Sequence, residues 1–572
     1  MTWQEYSKLL AKKGLEEKDR NFLEAVFELA SYVHEGETRA TGEPYITHPI
    51  SVSLKIADLK LDIASIAAGL LHDAVEKNPN VLKTIRQKFG NEIAFLVDAV
   101  TKVDRVSAKG VKRALESVRK MFLAVAQDIR VVMIKLMDRL HNMETLDALA
   151  KDKRERIAEE TLSLYAPLAE RLGMWNIKGE LEDLAFKHLW PREYAEMLEA
   201  VKNHAPERER LIRKIANVIE SELKREKIKI KEISFRVKHL YSSWLKLEKY
   251  DNNWLLLSDL IALRIILEDV KDCYSTLGII HKLWKPVPSR FKDYIALPKP
   301  NGYQSLHTSV FTENNYIVEF QIRTEEMHRE AENGIAAHWA YSEFGKPKKG
   351  FSAIGKKFNW INQLANWHKE FEHEHASTED LLEALKIDFF KDRIFVLTPK
   401  GDVIDLPKGA TPLDFAYHIH SEIGNRAFGA KADGRLVSFS RELRSGEVVE
   451  ITTQKNKKPS REWLHIVKTS LAKNRIRRAL RITDKDSFLA IQEKPVSTSV
   501  YARNRVGLIK DISGVFASLH INIQTLTANR SGNDEAPILI TFIPKQKSDV
   551  AKIENRLKKI RDVTKINSKI KS

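Results

Sequence analysis

Arg290, Lys292, Lys299 and Tyr303 fall within the run RFKDYIALPKPNGYQSLHT, Arg290 to Thr308, where cations, a turn and an aromatic ring follow one another. Fixed cations recognise phosphate groups, and a ring face recognises a purine. Pro298-Lys299-Pro300-Asn301-Gly302 carries turn chemistry, because proline fixes φ and Asn-Gly accepts a left-handed backbone. These residues suit a phosphate cradle beside a base-stacking platform. A solvated loop rich in Lys and Pro would share the composition.

A second set lies nearer the N-terminus. His48 follows the turn-like GEPYIT, His72-Asp73 reads as the middle of a helix in IASIAAGLLHDAVEK, and Asp138 lies on a later helix in LMDRLHNM. Two imidazoles and two carboxylates from separate helices make an open site for Mn²⁺ or a similar divalent ion, able to activate water. His72 and Glu76, like Asp138 and Asn142, are four apart and share a helix face. A helical bundle with ordinary surface charge is the other reading.

The elements that must position these groups change in type along the chain. Up to about Trp190 apolar residues recur at threes and fours, as in FLVDAVTKV and VVMIKLMDRLHNM, which predicts helices throughout. From about Lys229 to Ala340 β-rich runs such as LIALRIIL and NYIVEFQIRT alternate with helical segments, which predicts a mixed α/β domain. NWINQLANWHKEF reads as a connecting amphipathic helix with Trp360, Leu364 and Trp367 on one packing face. Short strands around one helix from Asp388 to Thr453 predict a small β-grasp module, and a basic stretch follows. From about Pro495 the order strand, helix, strand, strand, helix predicts a ferredoxin-like module.

A chain of 572 residues exceeds one core and implies several domains. With 95 Lys and Arg against 78 Asp and Glu, its net charge of +17 favours polyanionic partners. The single cysteine, Cys273, excludes an intramolecular disulfide framework and a Cys-rich zinc module, and suits a reducing compartment. No secretory signal and no run of about eighteen apolar residues is present, so a soluble cytoplasmic protein without membrane contact is expected.

The forms RATGEPYITHP, HDAVEK and DRLHNM resemble the HD-type hydrolase domain of the RelA/SpoT homologues, the stringent-response enzymes. The resemblance implies that His48, His72, Asp73 and Asp138 hold Mn²⁺, that Glu76 helps activate water, and that Arg39 and Asn142 contact the nucleotide. One position departs: where the family continues with a Glu-Asp pair, this chain has Glu76-Lys77. A lysine cannot take a carboxylate's role toward water at neutral pH. Lys77, four residues from Asp73, either pairs with that carboxylate in competition with the metal or turns outward.

FRVKHLYSSWLKL, DLIALRII, the run from Arg290 to Thr308 and VEFQIRTEEMHREAENGIAAHWAY resemble, in order, the synthetase domain of the same family, a nucleotidyltransferase-like fold. The implied reaction moves pyrophosphate from ATP to the 3′-hydroxyl of GDP or GTP with Mg²⁺. Asp259, before one strand, and Glu319, on another, could present carboxylates to one Mg²⁺; the resemblance makes Asp259 a ligand and Glu319 a ligand or base. It assigns Arg236, Lys238 and Lys246 to the ATP phosphates, Lys299 and His307 to the acceptor's phosphates, and Tyr303 to guanine, with Gln321, Arg264 and Arg323 as supports. The family's usual glycine before Arg236 is Phe235 here, whereas the charge pattern Arg290-Phe-Lys-Asp293 matches members having both activities.

TPKGDVIDLPKGATPLDFAYHIHSEIG resembles a TGS domain and RVGLIKDISGVF an ACT domain. The resemblance implies a ribosome and deacylated tRNA as partners, with His418 and His420 placed to stack on a terminal base. Asn504 stands where ACT modules commonly carry an acid. The expected layout is an all-α HD domain at 1–195, an α/β synthetase domain at 196–345 and a connecting helix at 346–387. A TGS domain at 388–453, a basic linker at 454–494 and an ACT domain at 495–572 complete it. Two rival readings are a non-catalytic ribosome-binding sensor with decayed domains and a hydrolase whose second domain only binds nucleotide.

Overall fold

Helical periodicity is realised from the start of the chain: α1 Trp3–Lys12, α2 Glu17–Val33, α3 Thr47–Asp58, α4 Ile63–Leu71, α5 Ala74–Lys77, α6 Val81–Phe89, α7 Asn91–Asp104 and α8 Ile129–Glu144. Then follow α9 Lys151–Glu160, a π-helical turn Thr161–Tyr165, α10 Ala166–Arg171, α11 Trp175–Leu189 and the long α12 Pro191–Arg225. This computed structural model describes residues 1–104, 120, 124, 127–249, 261–288, 290–299, 301–312, 316–334, 336, 393–480, 496–503, 505, 507–519, 521–528, 538–542 and 547–570. By packing they form two units, residues 1–415 with 429–452 and 468–470, and residues 416–428 with 453–467 and 471–572.

In the first unit one continuous apolar core joins α1 to α11. Gly69 lets α3 and α4 approach closely, since a Cβ there would lie 2.3 Å from Ile56 Cδ1. α4 ends at Leu71, so His72-Asp73 sits at a helix break rather than within a helix, which corrects the expectation from periodicity. The cause is a competing hydrogen bond: His72 Nδ1 takes the Gly69 carbonyl at 2.8 Å, the acceptor that continued helix would offer to the Asp73 amide.

The mixed domain is built on a five-stranded sheet in the order β1-β2-β5-β4-β3, from β1 Ile230–Val237, β2 Ile261–Leu267, β3 Lys292–Asp293, β4 Leu306–Phe311 and β5 Ile317–Thr324. β2 and β5 are parallel and the other pairs antiparallel. Alternation sends Leu263, Ile265, Val318, Phe320, Ile322, Leu306 and Val310 to one face, where Ile212, Ile215 and Ile219 of α12 and Cys273 and Ile280 of α14 Val270–Leu283 cover them. The opposite face carries Arg264, Glu319, Gln321, Arg323 and His307, with Ala262 and Ile266 between them. α13 Leu240–Lys249 and α15 Glu325–Asn333 complete the domain.

β6 Arg393–Leu397 and β7 Val403–Pro407 form a hairpin, and β10 Val449–Thr453, β8 Ala427–Ala432 and β9 Arg435–Val437 form a sheet in that order, the β-grasp elements, with helices α16 Pro412–Ile419 and α17 Ser421–Asn425. Two helices follow, α18 Trp463–Ile466 and α19 Ser470–Ala479. The second unit ends in the ferredoxin-like module, with β11 Val496–Ala502, α20 Leu508–Ser518, β12 Ile523–Ala528, β13 Ile538–Phe542, α21 Lys547–Leu557 and β14 Val563–Ile570 in sheet order β12-β13-β11-β14. β14 closes the sheet and was not foreseen. The connecting segment with Trp360, Leu364 and Trp367, and Asn504, lie outside the described residues. No helix among the described residues is long and apolar enough to cross a membrane.

Gly334, with φ +57, meets backbone on its open side: a Cβ would lie 2.2 Å from the Leu172 carbonyl oxygen and 2.8 Å from Met174 N. Gly334→Ala is expected to lower stability by about 2–5 kcal/mol through strain and overpacking. Gly278→Ala, in α14 with open space around it, is expected to raise stability by about 0.5–1 kcal/mol. Thermal unfolding of the two variants checks the pair of signs.

Candidate active sites

His48 on α3, His72 and Asp73 at the α4–α5 break and Asp138 on α8 converge in the helical core. The ligand atoms of His48, His72 and Asp138 all lie within 4.8 Å of one another, and all three residues are buried. His48 Nε2 is 3.1 Å from Asp138 Oδ1 and 3.5 Å from Asp73 Oδ2, and His72 Nε2 is 3.2 Å from Asp73 Oδ1. With its Nδ1 held by the Gly69 carbonyl, His72 leaves Nε2 buried without a hydrogen-bond partner. A buried nitrogen of that kind, facing two carboxylates, fits a divalent metal ion bound by mixed N and O donors.

Asp138 holds the centre. Lys135 Nζ donates to its Oδ2 at 2.5 Å and Asn142 Nδ2 to its Oδ1 at 2.6 Å. Burial alone would raise its pKa, but the charge of Lys135, with His48 and His72 close by, holds it well below the carboxylate range. Tyr45 Oη donates to Asp73 Oδ2 at 2.8 Å. Arg39 Nη2 donates to Asn142 Oδ1 at 2.8 Å, so the two residues expected to meet a nucleotide touch each other. Arg39 Nη1 also reaches His141 Nδ1 at 3.0 Å, and His141 is pushed down to about 3 by burial and by the neighbouring His48 and Arg39. Beside them a cavity of about 440 Å³ is lined by the five cations Arg39, Lys135, Arg139, Lys153 and Arg156, with Asn142 and the acids Asp138 and Glu160, an excess of positive charge suited to a phosphorylated ligand.

Glu76 is exposed on α5. Lys77 turns away from the cluster: its Nζ donates to Glu37 Oε1 at 2.5 Å and does not pair with Asp73. The competition between Lys77 and a metal for Asp73 is therefore absent. Glu37, whose pKa Lys77 and His34 lower from its ordinary value, is the partner.

On the polar face of the sheet, strand register assembles the second group. Lys292, His307, Gln321, Arg264 and Ser234 stand opposite one another in a row across all five strands. The adjoining row contains Ser309, Glu319, Ala262 and Arg236. Gln321 Nε2 donates to Glu319 Oε1 at 3.1 Å, and His307 Nδ1 lies 3.4 Å from the same oxygen. Burial, with Lys299 and Arg323, keeps His307 below its ordinary pKa despite Glu319. A neutral ring that gives its Nδ1 hydrogen to Glu319 accepts at Nε2, where Tyr303 Oη stands at 2.7 Å. Tyr303, Glu319, Gln321 and His307 thus form one connected group.

Tyr303 is only 7% exposed and lies edge-on to Trp175 and Tyr294. Lys299 Nζ sits 4.9 Å from the Trp175 and Tyr294 ring centres and 5.2 Å from that of Tyr303. In this conformation the expected stacking face is covered. Lys238, Lys246 and Arg290 are half-buried and Lys292 is exposed. Arg264 and Arg323 share Glu332, at 3.2 and 2.9 Å. Phe235 is exposed at the end of β1 with Arg213 over its ring. Asp259 and the side chain of Arg236 lie outside the described residues. His418 is in the last turn of α16, and His420 caps α17 by accepting from the Glu422 amide at 3.2 Å.

Lys135, His141, Tyr45 and Trp175 escaped the sequence reading. Lys135 and His141 are three residues either side of Asp138, and that spacing was the available signal.

Four family models match in sequence order: the HD domain at residues 26–175, the region found in RelA / SpoT proteins at 235–346, the TGS domain at 394–453 and the ACT domain at 496–562. Among curated proteins the chain is 44% identical over 477 residues to a GTP pyrophosphokinase of Myxococcus xanthus, covering 83% of this chain and 62% of that protein. It is 45% identical over 469 residues to a guanosine-3′,5′-bis(diphosphate) 3′-pyrophosphohydrolase of Aquifex aeolicus, with 82% and 66% covered. Against the bifunctional (p)ppGpp synthase/hydrolase SpoT of Escherichia coli K12 it is 43% identical over 470 residues, again with 82% and 66% covered. The matched part spans about two thirds of the length of these relatives.

A divalent ion bound by the helical cluster stabilises the folded state by mass action, about 2.7 kcal/mol at a hundred times its Kd. Chelator-stripped protein is expected to gain thermal midpoint on addition of Mn²⁺, and His72→Ala to lose that gain. An equal gain in the variant would place the ion elsewhere.

Proposed function

The chain belongs to the RelA/SpoT family, and on that premise we propose that it transfers pyrophosphate from ATP to the 3′-hydroxyl of GDP or GTP, and that its HD domain removes the 3′-pyrophosphate again. The observation that carries the synthetic half is the connected group of Glu319, Gln321, His307 and Tyr303 on one face of the sheet beside Lys299. Gln321 and His307 both address Glu319 Oε1 and so fix the carboxylate that receives the acceptor's hydroxyl proton. The hydroxyl oxygen attacks the β-phosphorus of ATP, the bond to the α-phosphate oxygen breaks, and AMP leaves. Asp259 would hold Mg²⁺, which would neutralise charge on the transferring phosphates. Arg236, Lys238, Lys246, Arg290 and Lys292 serve the phosphates, and Tyr303 the guanine once Lys299 has moved.

In the HD domain His48, His72, Asp73 and Asp138 would hold Mn²⁺, whose chemistry there would be to acidify a bound water. Arg39 and Asn142, already in contact, orient the nucleotide in the adjoining cavity, and Glu76 receives a proton from the water. Lys77, bonded to Glu37, leaves that site one acid short of the family pattern without blocking the ligands. The protein acts in the cytoplasm, with the ribosome and deacylated tRNA engaging the C-terminal modules through His418 and His420. A non-catalytic sensor is not favoured, because both clusters of reactive side chains keep their mutual contacts.

With labelled ATP, GDP and Mg²⁺ the protein is expected to label the guanine nucleotide, and Glu319→Gln to reduce the rate about 100-fold or more. Absence of labelled product from wild type, with or without ribosomes, defeats the synthetic reading. For cleavage in Mn²⁺, Lys77→Asp is expected to raise the rate about tenfold or more by restoring an acid. An unchanged rate removes that explanation of the departure.

A further inference from the structure

The two imidazoles of the metal cluster are each held from behind. His72 Nδ1 is bonded to a backbone carbonyl, that of Gly69. His48 Nδ1 instead faces a side chain, His141 Nδ1, at 2.8 Å. The same nitrogen of His141 faces Arg39 Nη1 at 3.0 Å. A guanidinium has hydrogens only to give, so His141 Nδ1 is the acceptor and its ring carries hydrogen at Nε2. The hydrogen between the two imidazoles therefore belongs to His48 Nδ1. That leaves the lone pair of His48 at Nε2, facing Asp138 Oδ1 and Asp73 Oδ2. Lone pairs on one nitrogen and two carboxylates then point at a common space, an arrangement that a cation relieves.

We propose that His141 is a positioning residue of the HD site: with the one lone pair of its Nδ1 shared in a three-centre contact between His48 Nδ1 and Arg39, it holds His48 in the tautomer and orientation that a metal ion requires. It also ties the nucleotide-facing Arg39 to the ligand set. The device differs from that at His72 only in using a side chain, which makes it open to substitution. Partners of this kind alter metal affinity by about 10- to 100-fold when removed. That role presupposes the metal-dependent hydrolase proposed above.

The test titrates Mn²⁺ into chelator-stripped full-length protein and follows the free ion by electron paramagnetic resonance, for wild type, His141→Phe and His141→Asn. His141→Phe keeps a ring but cannot accept, and is expected to weaken Mn²⁺ binding about 10- to 100-fold. His141→Asn places a carbonyl oxygen near the lost nitrogen and is expected to recover most of the affinity. Product formation from ATP and GDP, in the other catalytic domain, reports whether each variant is folded. Binding by His141→Phe equal to wild type overturns the inference, as does an equal loss in both variants, which would mark a packing role. Failure of wild type to bind Mn²⁺ at all overturns the hydrolase reading itself, and the inference with it.

Discussion

A carboxylate buried in an apolar helical core is the constraint around which the N-terminal domain is arranged. Asp138 cannot be desolvated alone, and Lys135, Asn142 and His48 surround it for that reason. Each partner arrives on a helix that the core already fixes, so packing and electrostatics specify the same geometry. The close approach of α3 and α4 at Gly69 brings His48 to His72, with ring centres 5.0 Å apart. The helix break then turns Asp73 into the group, and Tyr45 holds it there.

The sheet solves a different problem by register. Because side chains alternate, one pairing decides which face every residue occupies. The β5 pairings with β2 and β4 put Val318, Phe320 and Ile322 into the core and leave Glu319, Gln321 and Arg323 on the other face. A slip of one residue would bury Glu319 and expose Phe320. Apolar burial on one side therefore enforces the alignment of polar groups on the other.

Much of this was legible in the chain itself. The helical periodicity and the alternation in NYIVEFQIRT pointed to the elements, and three of the four expected ligands, His48, His72 and Asp138, gather where a metal ion could be held. What stayed hidden depends on contacts between distant segments. Lys135 lies in the apolar text VVMIKLM and reads as a surface residue, yet it is buried against Asp138. The break at His72 comes from a side-chain hydrogen bond that no periodicity records. Lys77 takes the outward orientation, one of its two expected ones, but its partner lies 40 residues earlier, where helix neighbours alone could not name it. β14, with Thr564, Lys565 and Asn567 at exposed positions, carries too little apolar signal to stand out until it pairs with β11. The role of Tyr303 was inferred from its ring, but its burial follows from Trp175, more than a hundred residues away.

Trp175, Tyr294 and Tyr303 form three walls around the ammonium of Lys299. A cation over ring faces in a partly desolvated place is held by about 0.5–2 kcal/mol. On the role proposed for Tyr303, a purine must first displace this ammonium, and its apparent affinity falls by about 2- to 30-fold relative to an uncovered ring. Since Trp175 begins α11 of the helical bundle, how often the Tyr303 ring stands uncovered is set partly by a residue outside the sheet that carries it.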